Sequence, residues 1–293
     1  MNTRRLYRPL VALCMLGGIA LAVPNHAEAA PLHGTAVGAT CTGTSASPGV
    51  LAGTYSSSVV ISGYCVVDGG PTTVNGSITV ATGATLDATF ARNDVTGIGT
   101  SSLHVTGGVK VTSGAVFAMG CEPNYAPCSD DPAGTLTGTN TVGMNITGAG
   151  ALGLVVHAST IGGSINLSHG GGGSTCTVPT SGYFAKNFSP VFSDFEDNSI
   201  GGNLHVVGVQ SCWLGLIRNA VHKSLTDSNN TFADPDANET MNNTVGKNIT
   251  CSANTPAVHV GDSSQTSNLV KGTASGECSF SSVSAGVLIS VKV

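Results

Sequence analysis

The chain is poor in charged and aromatic side chains. Charged residues make up 9% of its 293 residues and aromatic residues 5%, with a single tryptophan. It contains no run of lysines and arginines, and its formal net charge is −5. Because nucleic-acid-binding proteins need basic groups to neutralise phosphates, no nucleic acid is expected as a partner. The surface must instead consist largely of serine, threonine, asparagine and glycine.

Helical periodicity is nearly absent, and so are long hydrophobic runs. The 40 glycines argue against helices. One apolar run, Leu10–Val23, follows three arginines within the first eight residues and precedes Ala27-Glu28-Ala29. This order is typical of a cleaved signal peptide, and the run is too short to span a membrane. We therefore expect residues 1–29 to be a signal peptide and the rest to be secreted without a membrane span, with the Sec and twin-arginine routes both open.

No C-x-x-C pair is present, so zinc ribbons and thioredoxin-like sites have no support. The chain has nine cysteines, and Cys14 lies in the leader. The remaining even number fits a disulfide framework in an oxidising compartment.

A heptapeptide repeats along the chain. It is clearest at Ile161–Leu167 (IGGSINL) and Ile200–Val206 (IGGNLHV), and further copies start at Val74, Val105, Val142, Val221 and Val245. The fifth positions of successive copies lie 19 to 39 residues apart. The short steps indicate a solenoid unit of about 20 residues, and the long steps are interpreted as two units.

Each copy predicts a corner followed by a short strand. Ile165 and Leu167 would point to one face and Asn166 to the other, and the preceding glycines would supply a tight turn tolerant of positive φ. A three-residue strand cannot bury its apolar face alone, so stacked copies must form the core together. The sequence therefore predicts an all-β, single-stranded parallel β-helix with coils of about 20–25 residues, rising about 4.8 Å per coil.

Three further motifs accompany these rungs: Gly120–Cys128, Gln210–Gly215 and Ala233–Glu239. Together with the rungs they resemble the motifs of secreted actinobacterial right-handed parallel β-helix proteins of unassigned function. The resemblance covers about residues 60 to 280. It implies a right-handed solenoid but no particular reaction.

One domain is the simplest organisation. We expect an N-terminal entry or capping segment at 30–60 and the β-helix at 61–293, ending in a closing strand at 287–293. Loop excursions are expected near 121–133, 170–199 and 227–243.

Two motifs suggest enzymatic chemistry, but each lacks a necessary part. Gly148–Gly153 matches the sequence pattern of a dinucleotide-binding fingerprint. That fingerprint requires a following helix to hold the pyrophosphate, whereas Leu154–His157 is expected to continue as a strand. Gly261-Asp262-Ser263 resembles an esterase nucleophile without a following base. We predict no catalytic residue and no cofactor.

Three histidines and the last of three acidic stretches are interpreted as mainly solvated. His104, His205 and His259 each lie between apolar residues and should project outward from strands. The acidic stretches are Asp130–Asp131, Asp194–Asp197 and Asp234–Glu239. The last offers oxygen ligands suited to calcium but lacks the glycine and the distal glutamate of an EF-hand, so calcium binding there is left open, as is any metal site.

Trp213 is expected to pack over a disulfide or a corner, with stacking on a sugar as the alternative. Arg92 and Arg218, the arginines outside the leader, do not adjoin an acidic stretch in sequence. The fold can nevertheless bring residues one coil apart together.

The favoured function is that of a structural or binding protein at the cell surface or outside the cell, contacting extracellular or envelope polysaccharide. The alternative is a carbohydrate-active enzyme of the polysaccharide lyase or hydrolase type. An ice-binding surface is a third hypothesis, because Thr79, Thr147 and Thr250 would share an outward column, although Lys110 and His205 interrupt it.

Coil spacing also predicts the disulfides. Cys41 and Cys65 lie 24 residues apart and Cys251 and Cys278 lie 27 apart, close to one coil, so each pair should bridge adjacent coils. Cys121 and Cys128 should close a local loop. Cys176 then remains for Cys212.

Overall fold

The computed structural model describes residues 38–131, 133–261 and 266–283. The expected signal peptide and the expected closing strand at 287–293 lie outside these residues. Nearly all regular structure in the described part is β, and the strand pairs within its three sheets are parallel. This is the architecture of a parallel β-helix.

Each coil contributes one strand to most of the sheets, and strands are numbered here in chain order. Sheet A contains β1 Ala39–Cys41, β4 Val59–Ile61, β7 Ile78–Val80, β10 Val109–Val111, β13 Ile146–Ala149, β16 Ile165–Gly170, β19 Leu204–Ser211, β22 Leu225–Ser228, β26 Ile249–Ser252 and β28 Ala274–Gly276, with β23 Thr231–Phe232 paired to β19. Sheet B contains β2 Gly49–Val50, β5 Tyr64–Val66, β8 Thr85–Ala88, β11 Val116–Met119, β14 Gly153–His157, β17 Phe192–Glu196, β20 Trp213–Ile217 and β24 Asn238–Met241. Sheet C contains β3 Gly53–Tyr55, β6 Pro71–Val74, β9 Ser102–Val105, β12 Asn140–Val142, β15 Ser159–Ile161, β18 Ser199–Ile200, β21 Ala220–Val221, β25 Thr244–Val245, β27 Leu269–Val270 and β29 Ser282–Val283. One short α-helix, α1, spans Gly182–Lys186, and a 3-10 helix spans Glu277–Phe280.

The strand register of sheet A confirms the repeat. The fifth positions of the rungs stack on one another and are buried, and Val59 and Ala274 extend the column at either end: Ile78, Val109, Ile146, Ile165, Leu204, Leu225 and Ile249. The outward column also forms as expected, with Thr79, Lys110, Thr147, Asn166, His205, Thr226 and Thr250 in succession.

The interpretation of the long steps as two units is wrong. Ile78 and Val109 are direct register partners, so this step is one coil. The extra residues leave the coils as three excursions, which lie between strands at 89–101, 120–139 and 171–191. In the stretch 227–243, by contrast, strands β22 to β24 cover about half of the residues, and the loop between β23 and β24 is short, at 233–237.

The paired glycines serve close packing between coils. A Cβ at Gly162 would collide with the carbonyl oxygen of Gly143, and one at Gly201 would collide with that of Gly162. Gly162 and Gly201 do not have positive φ, so the predicted left-handed turn is wrong at these positions. Coil stacking at the inter-strand spacing, rather than backbone chirality, requires glycine there.

The four disulfides join the expected cysteines. Cys41–Cys65 and Cys251–Cys278 connect adjacent coils with Cα separations of 6.4 and 5.2 Å. Cys121–Cys128 closes a local loop at 4.8 Å, and Cys176–Cys212 ties the 171–191 excursion to the coils at 4.6 Å.

A ladder of buried asparagines lines the corner between sheets B and C. Its members are Asn198, Asn219, Asn243 and Asn268, each in the next coil. The Oδ1 atom of each of the last three accepts the backbone amide of its predecessor, and every Nδ2 donates to a carbonyl oxygen in a neighbouring coil. The ladder satisfies polar groups that would otherwise be buried without partners, and so it fixes the corner from which several site residues project.

Candidate functional site

Two excursions cover the outer face of sheet B and leave a cavity of about 200 Å³, here called the sheet B cleft. Tyr125 from 120–139 and Tyr183 from α1 line it together with His157 of β14 and Asp194 of β17. A depression of about 340 Å³ lies beside Asp197 and Arg218. A third, of about 350 Å³ on sheet A, is lined by no carboxyl group. The ionisable groups therefore favour the sheet B side as the functional face.

Side chains of both charges converge beside this cleft. The set, here called the Arg218 cluster, comprises Glu122, His157, Asp194, Glu196, Asp197 and Arg218. Arg218 donates from Nη2 to Glu196 Oε2 at 2.7 Å and from Nε to Asp197 Oδ2 at 2.8 Å. The Arg218 side chain is 14% exposed, so these contacts are largely shielded from water.

The coil repeat explains why Asp197 and Arg218 meet. Each directly precedes a ladder asparagine and adopts positive φ, 55° and 56°, as Ala158 does one coil earlier at 46°. The two residues therefore occupy the same corner position in successive coils. A spacing of about 4.8 Å between coils places a guanidinium and a carboxylate within hydrogen-bonding reach.

Glu122 reaches the cluster from the excursion at 120–139. It lies in the loop closed by the Cys121–Cys128 disulfide, where its amide donates to the Ala126 carbonyl at 2.7 Å. Its Oε1 atom lies 3.8 Å from Arg218 Nη2. Tyr125 of the same loop packs over the guanidinium, with its ring centroid 3.8 Å from Cζ, a cation–π geometry. Arg218 thus connects this loop to the coils through its contacts with Glu122 and Tyr125.

Burial shifts the pKa values of several cluster members. Burial, with hydrogen bonding to Asp197, raises the pKa of Glu122 to about 8. Burial and the charge of Asp194 raise that of Glu196 to about 7, and burial raises the pKa of Asp194 well above its usual value. Burial lowers the pKa of His157 to about 4, so its imidazole is neutral at pH 7. The cluster therefore holds carboxyl groups that are partly protonated near neutrality.

Some buried atoms of the cluster have no hydrogen-bond partner. Among the described residues these include Glu122 Oε1, His157 Nδ1 and Asp194 Oδ1. The other ring nitrogen of His157, Nε2, lies 3.3 Å from Asp194 Oδ2. Unpartnered buried polar atoms are costly to stability, and at a cleft they indicate a ligand.

The three histidines predicted to face outward do not join this cluster. His104 contacts Thr141 Oγ1 through Nδ1 at 2.8 Å, His205 lies half-buried in the outward column of sheet A, and Nδ1 of His259 lies 3.5 Å from Asp236.

The acidic stretches lie in different environments. Asp194–Asp197 supplies three carboxylates to the Arg218 cluster. Asp131 pairs with Arg92 at 3.2 Å, whereas Asp130 lies with Asp68 and Asp94 in a second carboxylate group.

In the stretch Asp234–Glu239, Asp234 and Asp236 are exposed, and Asp234 Oδ1 accepts the amide of Asp236. The calcium hypothesis for this loop stays untested.

Trp213 joins an aromatic row on the outer face of sheet B. Its ring meets Phe192 edge to face at 6.0 Å, and the row continues through Phe184 to Tyr183. The segment Gly148–Gly153 runs from β13 through a turn into β14, with no helix between them. The motif Gly261-Asp262-Ser263 lies mostly outside the described residues.

Sequence reasoning missed Glu122 and His157. Aligning the rungs would have found part of the cluster, because Asp197 and Arg218 each lie seven residues before a fifth position, Leu204 and Leu225. His157 is the register partner of Glu196. Glu122 gives no such signal, because it stands in a loop outside the repeat.

In the described part of the chain, no helix is long and apolar enough to cross a membrane. No protein-family model, curated protein or solved structure matches the chain.

Proposed function

We propose that the chain is an exported β-helix protein that binds extracellular or envelope polysaccharide in the sheet B cleft. The observation that carries this proposal is the cleft itself, where Tyr125 and Tyr183 flank unpartnered atoms of His157 and Asp194. The four disulfides support export, because such bonds persist in oxidising compartments.

The chemistry of the cleft suits a sugar. Pyranose rings present apolar C–H faces to aromatic side chains and hydroxyl groups to polar ones. A hydroxyl both donates and accepts, so it can donate to Asp194 Oδ1 and accept from another group of the cleft. The predominantly uncharged surface of the protein gives little electrostatic preference for a strongly charged polymer.

We further propose that the solenoid is right-handed and of the secreted actinobacterial type. The motifs at Gly120–Cys128, Gln210–Gly215 and Ala233–Glu239 support this assignment. The handedness is also supported by a general rule, since connections between parallel strands of one sheet are almost always right-handed.

A glycan array tests the binding function. We expect the purified protein to retain at least one polysaccharide or oligosaccharide, and Tyr125→Ala to lose it because the cleft loses an aromatic wall. Phe188→Ala is the matched control, because Phe188 lies in the other excursion, is 89% exposed and does not line the cleft. Retention of no glycan, or equal losses in the two variants, would contradict the proposal.

Hydrolysis of a polysaccharide is a second candidate. One oxygen of Glu122 and one of Glu196 lie within 4.8 Å of each other, which is too close for the separation of about 6.5–9.5 Å in inverting glycosidases and nearer to that of about 5–5.5 Å in retaining ones. The raised pKa of Glu122 suits a general acid. A lyase using Arg218 as its base is not supported. Burial opposes the protonated guanidinium, but hydrogen bonds to Asp197 and Glu196 outweigh it and raise its pKa.

Product analysis separates binding from turnover. Hydrolysis would release reducing ends without unsaturated uronates, and Glu122→Gln would abolish the release. Asp94→Asn, in the other carboxylate group, should leave it unchanged. Binding without any product would reject the hydrolase and leave the binding function intact.

A further inference from the structure

We propose that Glu122, His157 and Glu196 form a binding site for one divalent transition-metal ion, with zinc as its representative. One potential ligand atom from each residue lies within 4.8 Å of the other two. The site shares His157 with the sheet B cleft, whereas Glu122 and Glu196 do not line the cleft, so zinc binding can be measured without any polysaccharide.

The donor set selects the class of ion. Two carboxylate oxygens and one imidazole nitrogen suit zinc and its neighbours, whereas calcium takes six to eight oxygen ligands. Tetrahedral coordination with bonds of about 2.1 Å requires donor atoms roughly 3.4 Å apart. The ligands must therefore approach by no more than about 1.4 Å, a movement that the loop side chain of Glu122 can supply.

The framework already holds the other two ligands. His157 and Glu196 are register partners at the ends of β14 and β17, in adjacent coils. The Cys121–Cys128 disulfide restrains the loop that carries Glu122. Binding would thus link the excursion to the coils.

His157 provides an independent indication of a ligand. Its side chain is only 3% exposed, and its Nδ1 atom has no partner among the described residues. Its Nε2 atom faces Asp194 Oδ2 at 3.3 Å. A carboxylate behind one ring nitrogen commonly orients an imidazole whose other nitrogen binds metal. Asp194 is therefore positioned to orient His157 rather than to coordinate the ion.

The charges of the bound state also favour a cation. The carboxyl groups of Glu122, Glu196 and Asp197 lie around the single guanidinium of Arg218. Carboxylates bind metal in their ionised form, and three ionised groups would carry more negative charge than one guanidinium compensates. A divalent cation would offset this excess, which is costly to bury.

Calorimetric titration of the untagged exported protein with zinc chloride tests the proposal. We expect one zinc ion per chain and a zinc-dependent rise in Tm. Glu122→Gln should weaken binding by at least the 10–100-fold that loss of an outer-shell partner costs. Because Glu122 lies in an excursion, this variant should keep the fold, which circular dichroism can check. His205→Gln is the control for adventitious binding by a surface imidazole and should bind zinc as the parent does.

Glu196→Gln provides a second test within the coils, and it too should weaken zinc binding. The proposal is overturned if the parent does not bind zinc at about 100 μM, a concentration at which such sites should be saturated. It is also overturned if Glu122→Gln binds zinc as tightly as the parent. Tighter binding of calcium than of zinc would also overturn it, because the donor set would then be assigned to the wrong class of ion.

Discussion

Arg218→Gln tests whether one guanidinium holds the Arg218 cluster together. The substitution keeps a polar side chain but removes the charge that contacts Glu196 and Asp197 and the plane on which Tyr125 packs. The carboxyl groups then face one another without a cation, and the loop carrying Glu122 loses its contact with the coils.

The cost follows from burial. Removing one partner of a buried ion pair costs about 3–5 kcal/mol, and loss of a cation–π contact adds roughly 0.5–1 kcal/mol. Asp197 is 28% exposed and retains some solvation, so the lower end applies. We expect the free energy of unfolding to fall by on the order of 3 kcal/mol at pH 8. The loss should be smaller at pH 5, because burial raises the pKa values of Glu122 and Glu196 to about 8 and about 7 and these two carboxyl groups are then neutral.

Guanidinium chloride unfolding at the two pH values measures this effect. Arg92→Gln is the matched control, because Arg92 also pairs with a carboxylate but is 51% exposed, and its loss should matter much less. If both variants lose the same free energy, or if the Arg218→Gln loss does not depend on pH, the cluster does not depend on the Arg218 charge.

Three further predictions concern the coils. Asn219→Ala removes an amide with four hydrogen bonds and should lower the free energy of unfolding by about 3–5 kcal/mol in chemical denaturation. Asn166→Ala, on the outer face of sheet A, should change it by no more than about 0.5 kcal/mol. Similar losses in the two variants would refute the stabilising role of the asparagine ladder. Burial raises the pKa of Asp227 to about 7 despite hydrogen bonds from Asn230 and Thr240, so folding favours its protonated form and stability should fall as pH rises from about 4 to 7. The free energy of unfolding should therefore fall by up to about 4 kcal/mol over this range, and Asp227→Asn should abolish that fall when unfolding is measured at several pH values. An unchanged pH profile in Asp227→Asn would contradict the raised pKa of Asp227. Because Lys110 and His205 interrupt the threonine column, freezing-point measurements should show no thermal hysteresis, and a measurable gap would revive the ice-binding hypothesis.

Periodic features of the fold could be predicted from sequence. The apolar fifth position of each rung, with an apolar seventh position in most rungs, faces one side of a short strand, so the stacking of Ile165 on Leu204 follows from side-chain alternation. The disulfides follow from coil spacing, because neighbouring coils bring cysteines within bonding distance.

Features outside the repeat could not be predicted in this way. The excursions hide the true coil length, since a loop of any length can leave a corner without disturbing the register. Glu122 is placed by such a loop and by its disulfide, so no spacing in the sequence connects it to Arg218. Asp197 and Arg218 share a corner position that the rungs reveal, but their contact also depends on the positive φ that both residues adopt, which the sequence did not indicate.

The central claim is that the sheet B cleft, rather than the outer face of sheet A, is the binding face. The most direct test compares the affinity of one array-selected oligosaccharide for the parent, Tyr125→Ala and Thr147→Ala by calorimetry. Loss of an aromatic stacking contact with a nucleic-acid base costs about 1–3 kcal/mol, and we expect a similar cost for a sugar ring. Tyr125→Ala should therefore weaken binding by about fivefold or more, and Thr147→Ala should not change it. Loss of affinity in Thr147→Ala with full affinity in Tyr125→Ala would place the ligand on sheet A and contradict the account.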